Sequence, residues 1–363
     1  MSFEHGSVSL RLFYPTPGTS IPEKPFDQFA VDAILPIDAI PAEGCVGWST
    51  GRHLLDRNIN EDSGMVAGRI RLSLVKALKK IPAALFKAEC KQEELALMMA
   101  KGVAFLSRKE RSEIKEQVSE RMLPSMPPTL SSVDLVRDSN SGVLHTTACS
   151  VAQADFLASN WHKSTGQWVY AYNPTIAASK VVGFNASSLS PTSFSSDVED
   201  EASDQDLGTE FLTWLWYFSE ECGGINNNYA FHLDGPFTFV HEGAGAHVVV
   251  IRKGNPGIAQ EAKSALLAGK KLKKAKMTIA RGDLQWVCSI DGSEWTFGSL
   301  KLPKNEAMDF LGQFEERMIN IASFIEAFEG LFLKFIDIRI DKGLWASEVA
   351  KIKQWVSDRV VTA

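Results

Sequence analysis

The chain has 363 residues, 45% of them hydrophobic, with 38 Lys and Arg against 44 Asp and Glu and a net charge of −6. That length admits two domains, or one large domain with an arm, and the apolar content suffices for a sizeable core. No apolar run reaches the roughly 18 residues of a membrane span. The first residues lack the basic-then-apolar pattern of a secretion signal, and five scattered cysteines without a C-x-x-C spacing point to reduced thiols in a cytoplasmic protein, away from disulfides or a zinc site.

Ser7 to Tyr14 alternates, with Val8, Leu10 and Leu12 against Ser7, Ser9 and Arg11, which predicts a strand ended by Pro15-Thr16-Pro17-Gly18. Gly44 to Trp48 is a short strand or a turn. Arg69 to Leu78 alternates again, with Ile70, Leu72 and Leu74 expected inward and Arg69, Arg71 and Ser73 outward. Pro82 suits a first helical position, and the helix it opens runs to about Ala100, with Gly102 as its stop. Ser107 and Glu110 have the spacing of a capping box. The helix after it, to about Met122, has only a thin apolar stripe of Ile114, Val118 and Met122. A core helix shows a wider stripe, so this one is expected to project, paired with the helix before it. Leu123-Pro124 ends it.

Short strands are expected at Val133 to Arg137, Val143 to Ala148 and Trp168 to Ala171, with a helix at Ala152 to Trp161. Ser187 to Asp206 is rich in Ser, Asp and Glu and poor in hydrophobes, which predicts a disordered loop at a domain boundary. Gly208 to Phe218 follows as a helix that is apolar nearly all round, hence buried on several sides. Thr209 is expected to cap it and Glu210 to sit at its positive end. A helix from Ile258 to Leu267 ends at Gly269. Lys271 to Arg281 then alternates as a half-buried strand, with Ala275, Met277 and Ile279 on one face and Lys274, Lys276 and Thr278 on the other. Asp291-Gly292 turns a hairpin between Leu284 to Ile290 and Trp295 to Leu302. Two amphipathic helices complete the chain, from after Pro303 to about Phe335 and from Leu344 to Val360.

Charge is distributed unevenly. Arg252 to Arg281 holds nine cations and one carboxylate, net +8, whereas Val181 to Ile251 holds eleven carboxylates and no Lys or Arg. A cationic island in an acidic chain attracts polyanions, phosphate backbones above all. A solvated lysine-rich face is the other reading. The arm helix carries Arg108, Lys109, Arg111, Lys115 and Arg121 with four glutamates, and its charge alone reads as a solvated face.

Motifs of enzyme chemistry are not met. Gly269-Lys270 lacks the Gly at 264 and the Ser or Thr at 271 of a phosphate loop. Gly243-Ala244-Gly245 runs into Val248 where a dinucleotide fingerprint needs Gly. His232, His241 and His247 lack ligand spacing and read as surface or hydrogen-bonded histidines. The acidic cluster Asp197 to Asp206 is a poor scaffold for the fixed geometry of Mg²⁺. No metal, cofactor or catalytic residue is therefore expected.

Three blocks together resemble the RdgC family of recombination-associated proteins. They are Ile81 to Pro124 (IPAALFKAE, EELALMMAKG, SRKERSEIKEQVSERMLP), GTEFLTWLW at Gly208 to Trp216, and Leu266 to Pro303 (LLAGKKLKKAKMTIARGDLQW through SLKLP), with weaker likeness at Val46-Gly47-Trp48. The resemblance implies an α+β fold: a central sheet domain (1–81 and 125–186), a projecting helical tip arm (82–124), and a C-terminal α+β base domain (207–363), with residues 187–206 as the acidic loop between. It further implies a ring-shaped homodimer, closed tip to tip and base to base, that encircles double-stranded DNA without sequence preference. So placed, the protein limits access of a RecA-type recombinase and is nucleoid-associated. Lys270, Lys271, Lys273, Lys274, Lys276 and Arg281, with Arg108, Lys109, Arg111 and Lys115 of the arm, become candidates for the DNA-contacting lining. Ser125-Met126-Pro127 departs from the shorter members, which have a basic residue and an aromatic there, and the acidic loop reads as an insertion that faces outward. Two other classes stay open: a metal-dependent nuclease using carboxylates such as Asp234 or Glu210, and a protein-interaction module whose aromatic helix and Leu311, Phe314 and Met318 build a dimer.

Overall fold

The computed structural model describes residues 3–185, 189–197, 206–226, 228–241, 247–252 and 260–358. The N-terminal part runs β1 (Val8–Pro15), α1 (Pro25–Val31), β2 (Cys45–Thr50), α2 (Glu61–Gly64), β3 (Met65–Val66), β4 (Arg69–Lys79), α3 (Ala83–Lys101), α4 (Arg108–Met122), β5 (Pro128–Asp138), β6 (Leu144–Thr146), α5 (Val151–Thr165), β7 (Val169–Ala171) and α6 (Pro174–Ser179). The C-terminal part runs α7 (Leu207–Glu221), β8 (Ile225–Asn226), β9 (Tyr229–His241), β10 (His247–Ile251), α8 (Gln260–Leu267), β11 (Lys271–Arg281), β12 (Leu284–Asp291), β13 (Thr296–Lys301), α9 (Phe310–Ile340) and α10 (Lys342–Asp358). This is a mixed α+β fold around one open antiparallel sheet of order β10-β9-β11-β12-β13-β1-β6-β5-β4-β2. No helix among the described residues is long and apolar enough to cross a membrane.

β1 belongs to both halves of that sheet. Val8 and Leu10 pair with β13, while Arg11 to Phe13 pair with β6 and Phe13 to Pro15 with β7. The chain's start is thus built into its C-terminal half. Arg317 of α9 reinforces the join, donating from Nε to the Phe3 carbonyl and from Nη2 to the Gly6 carbonyl, each at 2.9 Å.

The larger core gathers under the C-terminal half but also takes in Val66, Val136 and Ala177, and a second core lies under the N-terminal half alone. Beneath the β9–β13 half lie α7, α9 and α10, where the Phe211 ring meets Phe328, Phe332 and Phe335 at 5.7, 5.1 and 5.4 Å. Every residue from Leu207 to Phe218 is buried, as an all-round apolar helix requires. Trp214, Trp216 and Tyr217 are therefore core, each large buried apolar side chain contributing about 1.5–3 kcal/mol. Phe314 and Met318 are also spent in this core, at 1% and 2% exposure, so the stripe expected to build a dimer is closed within one chain, and only Leu311 remains outside. Under the other half, Phe29, Trp48 and Trp161 interlock between α1, α5 and the sheet.

Several expectations need correction. β4 is buried on both faces, not one. Arg71 lies against Glu4, and the Ser73 hydroxyl donates to Asp134 at 2.7 Å. Arg11, expected outward on β1, is likewise buried against Glu294. A charged residue can occupy such a place because its partner arrives from far along the chain. The cap of α7 is Asp206, whose carboxylate accepts from the Gly208 N–H; Thr209 sits inside the first turn. Nor is the loop at 187–206 structureless where it is described. Phe194, 2% exposed, inserts beside Trp345, whose Nε1 donates to the Thr192 hydroxyl, and the Ser195 hydroxyl donates to the Leu267 carbonyl. One aromatic and these bonds hold 189–197 onto the fold. The rest of that loop, 187–188 and 198–205, lies outside the described residues, as do Lys253, Glu242 and Gly243 to Gly245.

α3 and α4 form an antiparallel arm inserted between β4 and β5, whose ends Lys79 and Pro128 are in register. Gly102 takes the left-handed conformation, φ 64°, that stops α3. Ser107 and Glu110 complete the capping box of α4. The arm's small core holds Cys90, Leu106, Ile114 and Val118, with Met122 at its edge.

His145 on β6, between β1 and β5, has its imidazole pushed down to about 4, chiefly by burial. The unfolded imidazole titrates near 6.5. Between those values the unfolded chain binds a proton that the folded chain refuses. Stability should therefore fall as pH drops from about 6.5 to about 4, and this group adds no slope above that window. The full effect is about 3 kcal/mol by the free energy of the shift. Urea unfolding at pH 7 and pH 4.5 should show a smaller pH-dependent loss in His145→Asn than in the native chain.

Candidate nucleic-acid interface

The sheet face opposite α7 and α9 is set by β11, and it is the alternation of that strand that aims its side chains. Ala275, Met277 and Ile279 enter the core, so Lys274 and Lys276 point the other way and are exposed. The ladder with β9 shifts register between Leu272 and Lys274, and again between Lys274 and Lys276. Such irregularities re-aim side chains locally. Here Leu272 is fully buried, and Lys271 reaches to within 3.6 Å of the Glu210 carboxylate.

Glu210 lies on α7 at 1% side-chain exposure and also accepts from Arg339 Nε at 2.7 Å. A carboxylate in a core demands such partners. Lys271, with a side chain only 13% exposed, supplies one of them and is not part of the outer face. Glu210 itself acts as the anchor of this buried set, not only as a charge at a helix start.

The remaining cations of the strand have different surroundings. Lys274 Nζ lies 2.9 Å from Asp291 Oδ2, yet its side chain is 55% exposed. Lys276 stands in register with Asp234 of β9 and Ser289 of β12. Asp234 accepts from the Gly235 N–H at 2.7 Å. Thr278 has His232 beside it on the same ladder. Lys273 is half-buried, and Lys270 is half-buried between α8 and β10. Arg281 ends the strand exposed, donating from Nη1 to the Tyr229 hydroxyl at 2.9 Å. Lys274, Lys276 and Arg281 are thus the strand's outward cations.

The arm's cations form a second group. Arg108, Lys109, Arg111 and Lys115 are all exposed on α4. Lys109 faces Glu113 one turn on at 3.8 Å, while Arg121 is held against Glu93 and Glu89 of α3 at 2.7 and 3.0 Å. The Glu110 carboxyl is lowered to about 2 by Lys101 and by the bonds of its cap. α4 packs on α3 and on the turn after it, so within one chain the arm's cations and those of β11 are separate sets. The end of the arm, not marked out by sequence, is apolar: Met99 and Phe105 are 82% and 81% exposed, with Val103 at 42%. Val103 and Phe105, apolar and close together in the turn between two charged helices, were the available signal.

Among the described residues no group of three or more His, Cys, Asp or Glu is placed to hold a metal ion. His241 and His247 are register partners across β9 and β10 and are exposed, as is His232. Asp206 is occupied by its cap and by Ser293.

Residues 45–182 match the family model described as "RdgC: Putative exonuclease, RdgC". No curated protein matches the chain.

The Glu210 set yields a stability test. Glu210→Ala leaves Arg339 charged and buried without its carboxylate, which should cost about 3–5 kcal/mol in urea unfolding. Lys271→Ala removes a partly open partner at a longer distance and should cost about 1 kcal/mol or less.

Proposed function

We propose, on the premise that through residues 45–182 the chain belongs to the RdgC family, that it binds double-stranded DNA without sequence preference as a ring-shaped homodimer. The observation that carries this reading is the sheet face, uncovered among the described residues, on which β11 presents Lys274, Lys276 and Arg281, while the same strand's apolar face closes the core. Such cations meet phosphates, and phosphate contacts fix position without reading bases. Lys270 and Lys273 flank the set. Arg108, Lys109, Arg111 and Lys115 form its second group, brought opposite the first when two arms meet.

The arm's end supports that closure. Met99, Val103 and Phe105 are too apolar for a free helical tip, and a second copy's tip is the partner of like chemistry. A closed ring around duplex DNA limits the access of a RecA-type recombinase to it, and places the protein at the nucleoid.

The matching family's description names an exonuclease. We nevertheless propose a binding role without catalysis, because the two carboxylates that a nuclease reading singles out have structural partners. Glu210 is bound by Arg339 and Lys271, and Asp234 accepts a backbone N–H and faces Lys276. Magnesium-dependent loss of labelled DNA, abolished by Asp234→Asn, would overturn this.

Binding isotherms over a salt series test the DNA contact. Lys274→Ala with Lys276→Ala removes four cations from the dimer and should lower the slope of log affinity against log salt by about 3.6, at roughly 0.9 per phosphate contact, and weaken all duplex sequences alike. Lys271→Ala should leave the slope unchanged. Phe105→Asp should shift sedimentation toward the monomer, and an unchanged dimer would remove the arm from the interface.

A further inference from the structure

On the helical side of the C-terminal half, away from the lysine face of β11, a cleft of about 630 Å³ lies between α10, the end of α9 and the segment 189–196. That volume is within the roughly 300–1,000 Å³ of small-molecule sites. One wall is a single face of α10, on which Lys342, Trp345, Ala346, Val349 and Lys353 recur every three or four residues. The facing wall is rich in hydroxyls, with Thr192 the most deeply set of those that have a proton to give. Thr192 is 5% exposed, and its oxygen accepts from Trp345 Nε1 at 2.9 Å. A hydroxyl so engaged keeps its O–H for a further acceptor.

The charged residues of the lining are all cations: Arg339, Lys342 and Lys353. Arg339 is buried and answers to Glu210. The two lysines differ from it. Among the described residues neither has a carboxylate within ion-pair distance, whereas Lys351 of the same helix lies 3.2 Å from Glu348. Lys342 is exposed and Lys353 half-buried. The start of α10 does not add to this charge, because the Asp341 carboxylate already accepts from the Gly343 and Leu344 N–H groups at 2.8 and 2.9 Å. Asp197, beside the rim, accepts from the Ser196 hydroxyl at 2.8 Å. Unpaired lysines in a concave, hydroxyl-lined site draw an anion. Their spacing sets its length. Three turns of α10 separate Lys342 from Lys353, about 16 Å at roughly 1.5 Å per residue. A single phosphate cannot engage both side chains across that span, but an extended polyphosphate can.

We propose that this cleft binds a nucleoside triphosphate. The triphosphate lies along α10 between Lys342 and Lys353, and Thr192 donates to it across the cleft. The nucleoside rests on the apolar part of the lining, Leu189, Pro191 and Ile340. The division of the lining into cations, hydroxyls and apolar residues matches the three parts of such a ligand, and a bare inorganic anion would leave the apolar part unused. The site binds and makes or breaks no bond. It stands apart from the DNA reading, since none of its residues belongs to β11 or to the arm.

Titration calorimetry of the full chain with ATP, AMP and tripolyphosphate, with divalent metal chelated, tests this. ATP should bind about tenfold or more tighter than AMP, because only the longer anion reaches both lysines, and tighter than tripolyphosphate, because only ATP uses the apolar wall. Lys342→Ala and Lys353→Ala should each weaken ATP about tenfold, the loss of one hydrogen bond to a charged group. Ala346→Trp, at an exposed position of the lining, fills the cleft and should abolish binding. Lys304→Ala, an exposed lysine outside the lining, should change nothing. Circular dichroism verifies that each variant is folded. The proposal is overturned if ATP gives no binding up to about millimolar concentration, or if AMP or tripolyphosphate binds as tightly as ATP. It is also overturned if Ala346→Trp binds like the native chain, or if Lys304→Ala loses as much as the cleft lysines. If duplex DNA displaces ATP and Lys274→Ala weakens it, the nucleotide was held on the lysine face: the cleft is then wrong and the DNA reading stands.

Discussion

A single buried carboxylate decides how the C-terminal half is arranged. Glu210 sits on the helix that is buried on every side, where an unpaired charge would be intolerable. Its two partners come from different elements, Arg339 from α9 and Lys271 from β11. Arg339 in turn donates to the Ser190 carbonyl at 2.7 Å, which pins the segment 189–197. One charge thus fixes the depth of the long helix, the start of the lysine strand and the path of the loop before α7. The strand's other lysines keep their outward aim because the register shifts after Leu272.

Much of this was legible from local pattern. The period-two alternation of Lys271 to Arg281 identified β11 and both of its faces, and Ser107 with Glu110 identified the start of α4 to the residue. The thin stripe Ile114, Val118 and Met122 was enough to pair α4 with α3 rather than with the main core. These features depend on neighbours within one or two turns, so the sequence nearby contains the whole cause.

What could not be read depends on partners far away. Arg71 looks like the solvent side of a strand until Glu4 is placed against it, 67 residues earlier. Lys271 resembles its neighbours until Glu210 is seen behind it. Residues 189–197 have the composition of a free loop, and the single aromatic, Phe194, was too little signal against four serines. The cap at Asp206 was missed for a smaller reason: Thr209 was an equally good residue by type, and only the geometry of the first turn chooses between them. The division of β1 between two ladders has no local signature at all, because both of its faces are apolar from Leu10 to Phe13 apart from the paired Arg11.

The two margins of the sheet show how the same physics is met in opposite ways. At β2 the backbone of the preceding segment closes part of the edge: the Ile34 N–H donates to the Trp48 carbonyl at 2.8 Å, and the Trp48 N–H to the Asp32 carbonyl at 2.9 Å. Ala33 makes a parallel bridge there. At β10 no such cover is present among the described residues, and the exposed side chains are valines. An edge blunted by the chain's own backbone needs no partner, whereas one that keeps both its hydrogen-bonding groups and an apolar surface costs free energy until something pairs with it. Asp234 and Asp291 bring a similar moderation to the lysine face. By standing beside Lys276 and Lys274 they lower its field without removing it, and a phosphate backbone must compete for each lysine. Contacts so weakened suit a surface that holds any duplex and grips no particular site.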